Sequence, residues 1–284
     1  MSLTPAFYSV SGGKPYFPTG LFGIQSHPLR YVYMQATVHL LAETRPGAQL
    51  RILEVGSWVG ASALTWLFGL DHYAGGKGTV YCCDLWEPYH PIDDKRRGLI
   101  GGVLPEGDPA LAMEVAAGAG IPYELFLYNV KIAGGGDRVV AIKARSDLAL
   151  PALSDASFDL VYIDGDHRMA AVRNDIAEGM RLVRPGGILC GDDFDEPIEA
   201  VDAAFARAQS QADWLRDPKS GKGYHPGVTV ALADAFGTVS SYGGYWLMRK
   251  TESGWQKIDL TGRPVKIPPH VPCNIEPSQL KPTL

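Results

Sequence analysis

Five residues that can hold a metal ion or move a proton follow two predicted strands of the chain. They are Asp164, Asp166, His167, Asp192 and Asp193. Four carboxylates at the ends of neighbouring strands would repel one another and destabilise the fold unless a cation lay among them. Mg²⁺ binds a few carboxylates and completes its shell with water and substrate oxygens, so the pattern favours a divalent-metal site. Two of the residues also have simpler interpretations, since Asp166 can cap the next helix and Asp193 can begin a loop.

A glycine-containing turn earlier in the chain is typical of a nucleotide-binding loop. The stretch 51–65, RILEVGSWVGASALT, reads as an apolar strand, a tight turn and the start of a helix. Its spacing, E-x-G-x-x-x-G, differs from the G-x-G-x-x-G that holds a pyrophosphate, and no Lys-Ser/Thr pair follows to form a P-loop. The wider loop suits an adenosine ligand that ends in an amino acid, with an ordinary turn as the alternative. The candidate ligand contacts in this stretch are Glu54, Gly56, Ser57, Gly60 and Ser62.

Asp84 ends the next predicted strand, where it is a candidate for binding the ribose of such a ligand. A carboxylate can accept hydrogen bonds from both ribose hydroxyls, which a neutral side chain does less well. In an open parallel sheet, ligands bind at the carboxyl ends of the strands, where the strand order reverses. Asp84 could instead cap a helix, and it becomes informative because it follows the glycine loop.

Periodicity along the chain predicts the elements that position these residues. Apolar strands alternate with amphipathic helices five times, and a Gly-Gly turn then joins two final strands. The predicted strands are 51–55, 79–85, 138–142, 158–163, 188–191, 239–242 and 245–248. This alternation demands a mainly parallel sheet covered on both faces. The predicted fold class is therefore α/β, with a Rossmann-like, doubly wound, seven-stranded sheet that ends in an antiparallel hairpin.

The segments outside this pattern divide the chain. Residues 1–45 are predicted to be an N-terminal arm and helix that form a lid or an oligomer contact, and residues 46–250 form the main domain. Insertions at 86–108 and 195–227 are expected to wall the substrate side, and the Pro-rich residues 251–284 are expected to form an extended tail.

Composition narrows the class of protein. The 284 residues are 46% hydrophobic with a net charge of −5 and no basic block, which argues against a nucleic-acid partner. No apolar run approaches the roughly 18 residues of a membrane span. The four cysteines lack metal-type spacing, and the N-terminus lacks the pattern of a secretion signal, so we expect reduced, buried thiols in a cytoplasmic protein.

The runs VYIDGDH, AAVRNDIAEGMRLVRPGG and ILCGDDF resemble class I S-adenosylmethionine (SAM)-dependent methyltransferases, in particular the metal-dependent small-molecule O-methyltransferases. The resemblance is strongest to the macrocin O-methyltransferase type, which acts on sugar hydroxyls of natural products, and more distant to catechol O-methyltransferase. It implies SAM as methyl donor and Mg²⁺, or another divalent cation, as cofactor. It also implies a metal site made of Asp164, Asp192 and Asp193.

The resemblance assigns the other candidates as well. The proton acceptor would be Asp166 or His167, with Asp166 slightly favoured. Further cofactor contacts would come from Leu85, Arg145, Ser146 and Asp164. Outside the resemblance, the position of Tyr224 and His225 in the turn before the next helix suggests acceptor contacts, with a solvated loop histidine as the alternative for His225. The acceptor would be a hydroxyl of a glycosylated natural product or of another polyol or phenol, and a homo-oligomer formed through the N-terminal helix is expected by family likeness.

Two other functions remain open at this stage. A methyltransferase-fold protein could bind SAM without catalysis, although a scaffold has no need for so many mutually repulsive carboxylates. A nicotinamide-dependent oxidoreductase is less consistent with the sequence, because the glycine spacing is wrong and no Tyr-x-x-x-Lys pair occurs.

Overall fold

The computed structural model describes residues 3–18, 20–23, 28–88 and 109–271, with the backbone alone for 109–111. The strands are β1 (Leu50–Val55), β2 (Gly78–Asp84), β3 (Val139–Lys143), β4 (Phe158–Ile163), β5 (Val183–Phe194), β6 (Leu215–Arg216), β7 (Gly223–Tyr224), β8 (Ser240–Tyr242), β9 (Gly244–Thr251) and β10 (Gly254–Lys257). The α-helices are α1 (Thr4–Ser11), α2 (Pro28–Thr44), α3 (Ala61–Tyr73), α4 (Pro109–Gly118), α5 (Ile121–Ile132), α6 (Ser146–Ala149), α7 (Met169–Leu182), α8 (Ala203–Ala208) and α9 (Pro226–Phe236).

The main sheet has a parallel centre and an antiparallel edge, which confirms the predicted α/β class. Its strand order is β10-β9-β5-β4-β1-β2-β3, and β1 to β5 pair in parallel. β9 runs antiparallel to β5, and its other side pairs with both β8 and β10. The sheet therefore has eight strands rather than seven, because β10 forms within the segment that the sequence predicts to be an extended tail.

The strand order reverses next to β1, and this places the ligand crevice. β1 pairs with β2 on one side and with β4 on the other. Every residue of β4 is buried, as expected for a central strand with helices on both faces. The residues that follow β1, β2, β4 and β5 consequently meet at one edge of the sheet.

α2 packs into the core, with 11 of its residues buried, and it contacts α3, β8 and β9. The segment after β10 also packs back onto the domain, where Leu260 and Val271 are buried in the same apolar cluster as α2. Within the insertion 195–227, the structure forms a short 3₁₀ turn, α8 and the small antiparallel ribbon of β6 and β7. Of the insertion 86–108, the structure describes only residues 86–88. The part of the tail beyond residue 271 also lies outside the described residues.

The cysteines of the described part are buried, as expected, and their sulfurs are free. Cys82 and Cys83 lie in β2 and Cys190 lies in β5, whereas Cys273 is outside the described residues. Among the helices that the structure describes, none is both long and apolar enough to cross a membrane.

Candidate active site

A cavity of about 730 Å³ opens at the predicted edge of the sheet, within the size range of small-molecule sites. The turn after β1 and the end of β2 line one side of it. The turn after β4, the end of β5 and the insertion 195–227 line the other side. The cavity thus brings the glycine loop and the acidic cluster, which are far apart in sequence, to a common space.

The turn after β1 passes directly against the turn after β4. Gly56 has φ +88, and a Cβ at this position would lie 1.9 Å from the carbonyl oxygen of Asp164. Only glycine fits this backbone conformation and this close approach. The two turns are therefore locked together through a backbone contact that leaves the cavity open beside it.

Asp84 fixes the shape of the glycine loop. Its Oδ2 accepts hydrogen bonds from the backbone N–H groups of Ser57 and Trp58, both at 2.9 Å, and its Oδ1 accepts one from Trp86 at 2.8 Å. Burial raises the pKa of Asp84, and these backbone donors partly offset the effect. Asp84, Ser57 and Ser62 all line the cavity, so the predicted ribose-binding carboxylate also holds the loop.

Two tryptophans form an aromatic wall beside Asp84. Trp58 and Trp86 both have left-handed backbone conformations, with φ 43 and φ 48, and the Trp86 indole N–H donates to the Trp58 carbonyl at 2.6 Å. Phe22 stacks on Trp58. The sequence pattern does not single out Trp58, although it lies within the glycine loop itself.

Glu54 does not line the cavity. It is fully buried, accepts a hydrogen bond from the Ser62 hydroxyl, and lies 3.7 Å from the Cys82 sulfur. Burial raises the pKa of Glu54 to about 8, so the side chain is mostly protonated at neutral pH. The structure therefore places it beneath the loop, in contact with Ser62 rather than with a ligand.

Four other predicted cofactor contacts also lie outside the cavity lining: Gly60, Leu85, Arg145 and Ser146. Gly60 precedes α3 and faces Phe126. Arg145 is exposed and forms a two-point ion pair with Asp147, at 2.9 and 2.6 Å. Ser146 hydrogen-bonds the buried carboxylate of Asp175.

Asp164 follows β4 and is bonded to a residue that the sequence does not single out. Its Oδ2 accepts from the Tyr162 hydroxyl at 3.0 Å and lies 3.3 Å from Nη1 of Arg30. The same Arg30 nitrogen contacts the Tyr162 hydroxyl at 3.2 Å and forms an ion pair with Asp192. Arg30 comes from the first turn of α2, and a lone arginine among apolar residues is the signal that could have identified it.

His167 bridges two carboxylates. Its Nε2 lies 2.9 Å from Asp193 and its Nδ1 lies 2.8 Å from Asp213. Burial would lower the pKa of His167, but the charge of Asp193 and the two hydrogen bonds raise it well above its ordinary value. For the carboxyl group of Asp193, burial alone would raise the pKa. The positive charge of His167 instead holds the pKa of Asp193 well below its usual range. Each ring nitrogen of His167 therefore faces a carboxylate oxygen.

Asp166 lines the cavity and is held by the next residue. Nε of Arg168 donates to its two oxygens at 2.9 and 3.0 Å, and the Arg168 backbone N–H donates to Oδ1 at 3.0 Å. The carboxylate thus binds the N-cap residue of α7 rather than an N–H group of the helix, and it also faces the cavity.

The insertion 195–227 contributes a second histidine–carboxylate pair. Nδ1 of His225 lies 2.8 Å from Asp195, and the His225 ring packs edge-on against His167 with centroids 4.6 Å apart. His225 lines the cavity, whereas the neighbouring Tyr224 is fully buried in a separate apolar cluster. Of the two predicted acceptor contacts, the structure places His225 at the cavity and Tyr224 away from it.

The donor set is compatible with a divalent cation, but its members differ from the predicted set. One ligand atom each from Asp164, His167 and Asp193 can be chosen so that all lie within 4.8 Å of one another. Asp192 does not line the cavity and is paired with Arg30. Two carboxylates and an imidazole suit Mn²⁺ or Fe²⁺ as well as Mg²⁺.

Comparisons with known proteins agree with this architecture. A family model described as a methyltransferase domain matches residues 53–194, which is half of the chain. A provisionally named O-methyltransferase of Mycobacterium sp. (strain JLS) is 44% identical over 55 residues, which is 19% of this chain and 24% of that protein. The solved structure of the O-methyltransferase NovP is 12% identical and has a TM-score of 0.50, covering 88% of this chain and 97% of its own. At this identity, the likeness to NovP concerns the fold alone.

Proposed function

The chain belongs to the methyltransferase-domain family, and from this premise we propose that it transfers the methyl group of SAM to a hydroxyl oxygen of a small molecule. The observation that carries the proposal is that one cavity is lined both by the glycine loop with Asp84 and by the cluster of Asp164, Asp166 and His167. The first group would hold the donor and the second would act on the acceptor.

The charge of the cavity supports a cationic donor. Its lining includes seven carboxylate residues, namely Asp84, Glu87, Glu114, Asp164, Asp166, Asp193 and Asp213, against two arginines, Arg30 and Arg168. A sulfonium is attracted to such a surface, and an anionic acceptor is repelled by it. We therefore propose that the acceptor is neutral or cationic, as a polyol, a phenol or an aminated sugar would be.

Methyl transfer requires an oxygen nucleophile aligned with the methyl group and a group that takes the proton. Both ring nitrogens of His167 already contact carboxylates, Asp193 and Asp213, so neither is free to take the proton of the acceptor. Asp166 faces the same cavity, and its two oxygens offer four acceptor positions against the three N–H groups of Arg168 that bind them, so we assign it as the proton acceptor. His225, whose ring packs against His167, would orient the acceptor from the same side of the cavity.

A divalent cation, Mg²⁺ or another, would be held by Asp164 and Asp193, with His167 as a third ligand that gives up a proton when the ion binds. When bound, it would lower the pKa of an acceptor hydroxyl and fix its position. The residues of the chain would then supply the remaining functions, namely donor binding by the loop and proton removal by Asp166.

The test is calorimetric titration of the purified protein with S-adenosylhomocysteine (SAH), first with EDTA and then with Mg²⁺. We expect micromolar binding in both conditions for wild type. Asp84→Asn should weaken SAH binding at least tenfold, because an amide replaces an acceptor of three backbone N–H groups. The exposed Asp137→Asn serves as the matched control and should bind SAH like wild type.

Turnover separates the enzyme from a scaffold that only binds SAM. Radiolabelled SAM is incubated with a panel of neutral, cationic and anionic hydroxyl acceptors, with Asp166→Asn as the inactive reference. Binding of SAH without transfer to any acceptor would favour the non-catalytic alternative. Absence of SAH binding in both conditions would contradict the proposal as a whole.

A further inference from the structure

Arg30 places a buried positive charge among the carboxylates that the sequence assigns to a metal ion. Its side chain is 7% exposed, and it projects from α2 into the ends of β4 and β5. One nitrogen, Nη1, contacts the Tyr162 hydroxyl at 3.2 Å and Asp164 at 3.3 Å, and it forms an ion pair with Asp192. The repulsion from which a divalent cation was predicted is therefore partly neutralised by the chain itself.

The two adjacent aspartates near the end of β5 have different environments. Asp192 has a side chain 8% exposed, pairs with Arg30 and does not line the cavity. Asp193 has a side chain 24% exposed, pairs with His167 and lines the cavity. Asp193 also has φ +60, a left-handed conformation that costs energy for a residue with a Cβ, and it lies where the pairing of β5 with β9 is interrupted, between Gly191 and Phe194. The backbone thus directs one carboxylate to the core and the other to the cavity.

A guanidinium stays charged in a protein, so Arg30 cannot release Asp192 by losing a proton. A divalent cation close to Asp192 would also be close to this like charge. Asp164 differs, because its second oxygen can bind an ion while Oδ2 stays bonded to Tyr162 and Arg30.

We propose that Arg30 withholds Asp192 from the metal, so that Asp164, His167 and Asp193 are the ligands and Asp192 is a positioning residue. This rests on the proposed function insofar as it concerns the same divalent cation. It differs from the set implied by the family resemblance, in which Asp192 is a ligand. Arg30 then has two effects: it neutralises Asp192, and it limits how tightly the site binds a divalent cation.

The decisive comparison uses the adjacent pair Asp192→Asn and Asp193→Asn. Mn²⁺ is titrated into each full-length variant and into wild type, and free Mn²⁺ is followed by electron paramagnetic resonance. We expect Asp193→Asn to weaken Mn²⁺ binding at least tenfold and Asp192→Asn to change it by less than threefold. Equal losses in the two variants would overturn the proposal.

Variants of Arg30 test the same idea in the opposite direction. Arg30→Met keeps an apolar stem but frees Asp192, so Mn²⁺ affinity should rise at least tenfold. Arg30→Lys retains the charge and should stay within threefold of wild type. Unchanged or weaker Mn²⁺ binding in a folded Arg30→Met, or no Mn²⁺ binding in either wild type or this variant, would contradict the proposal. If Arg30→Met fails to fold, the aspartate pair still decides the question.

SAH binding is measured on the same samples to separate the two proposals. Asp192→Asn should bind SAH like wild type, since Asp192 does not line the cavity. Failure of wild type to bind SAH would contradict the proposed function. The Mn²⁺ comparison would still report on Arg30 and Asp192 in that case.

Discussion

Glu54 illustrates at the residue scale how burial changes the chemistry of a motif. Its position before Gly56 suggests a contact with the cofactor, but the side chain is fully buried and accepts from Ser62. Burial raises its pKa from 4.5 to about 8. The carboxyl group is therefore mostly neutral in the folded state at pH 7 and ionised in the unfolded state.

This shift has a definite sign for stability. A folded-state pKa above the unfolded value contributes stability below pH 4.5 that is lost as the pH rises towards 8. Glu54→Gln removes the ionisation. Between pH 5 and pH 8, the free energy of unfolding of wild type should therefore fall by about 3 kcal/mol relative to that of the variant.

Urea denaturation at the two pH values measures this difference. The exposed Glu252→Gln serves as the control and should show the pH dependence of wild type. If Glu54→Gln and wild type lose stability in parallel as the pH rises, Glu54 is ionised in the fold and the argument fails.

At the scale of elements, the turns after β1 and β4 act as one unit. A Cβ on Gly56 would lie 1.9 Å from the carbonyl oxygen of Asp164, and Gly56 has φ +88. Gly56→Ala must therefore move one turn away from the other as well as strain its own backbone. We expect a loss of about 3 kcal/mol or more in the free energy of unfolding, together with weaker SAH binding.

Gly75→Ala provides the matched control for this substitution. Gly75 has φ +62, but a Cβ there would have nothing within 4 Å. It should therefore lose only about 1 kcal/mol, the cost of the backbone conformation, with SAH binding unchanged. Equal losses for the two variants would show that the close approach to Asp164 is not important.

The elements themselves could be predicted where burial imposes a simple pattern. β4 is buried along its whole length, so FDLVYI reads as a central strand, and the strand ends that carry Asp84, Asp164 and Asp193 follow from it. β10 could not be predicted in this way, because its short, mostly exposed sequence has no apolar run.

The contacts within the site depend on partners that are distant in sequence. Arg30 meets Asp164 across 134 residues of chain, and only the packing of α2 reveals the pair. Arg145, by contrast, has a partner close in sequence. Its ion pair with Asp147, two residues away, holds it outside the cavity. Motif position predicts which strand end a residue occupies, whereas the direction of its side chain is set by these neighbours.

At the scale of the whole molecule, the last described residues close over the first helices of the domain. Arg263 pairs with Glu43 at 2.5 Å, and the backbone N–H of Lys266 donates to the Tyr73 hydroxyl at 2.7 Å. His270 reaches α3, where its Nε2 lies 3.0 Å from the Ala61 carbonyl and 3.1 Å from the Thr65 hydroxyl. This segment therefore joins the two ends of the domain and packs at the start of the helix that follows the glycine loop.

His270 makes this closure sensitive to acid. Burial lowers its pKa from 6.5 to about 4, so the ring is neutral in the folded state at pH 5 while the unfolded state is protonated. A depressed folded-state pKa leaves stability intact above pH 6.5 and removes it as the pH falls towards 4. Relative to a variant without this titration, wild type should lose up to about 3 kcal/mol between pH 7 and pH 4.

His270→Gln supplies that variant, since its amide can still donate to the Ala61 carbonyl. Urea denaturation of wild type and His270→Gln at pH 7, 5.5 and 4 measures the difference in stability. The control is His72→Gln, at an exposed position of α3, the helix that His270 contacts. The stability curves of wild type and His270→Gln should separate as the pH falls, whereas His72→Gln should follow wild type. Curves that stay parallel would show that His270 is protonated in the fold, and that the closing segment does not bury it. His270 does not line the cavity, and the variant can keep the hydrogen bond to Ala61, which does, so SAH binding at pH 7 should be the same in all three proteins.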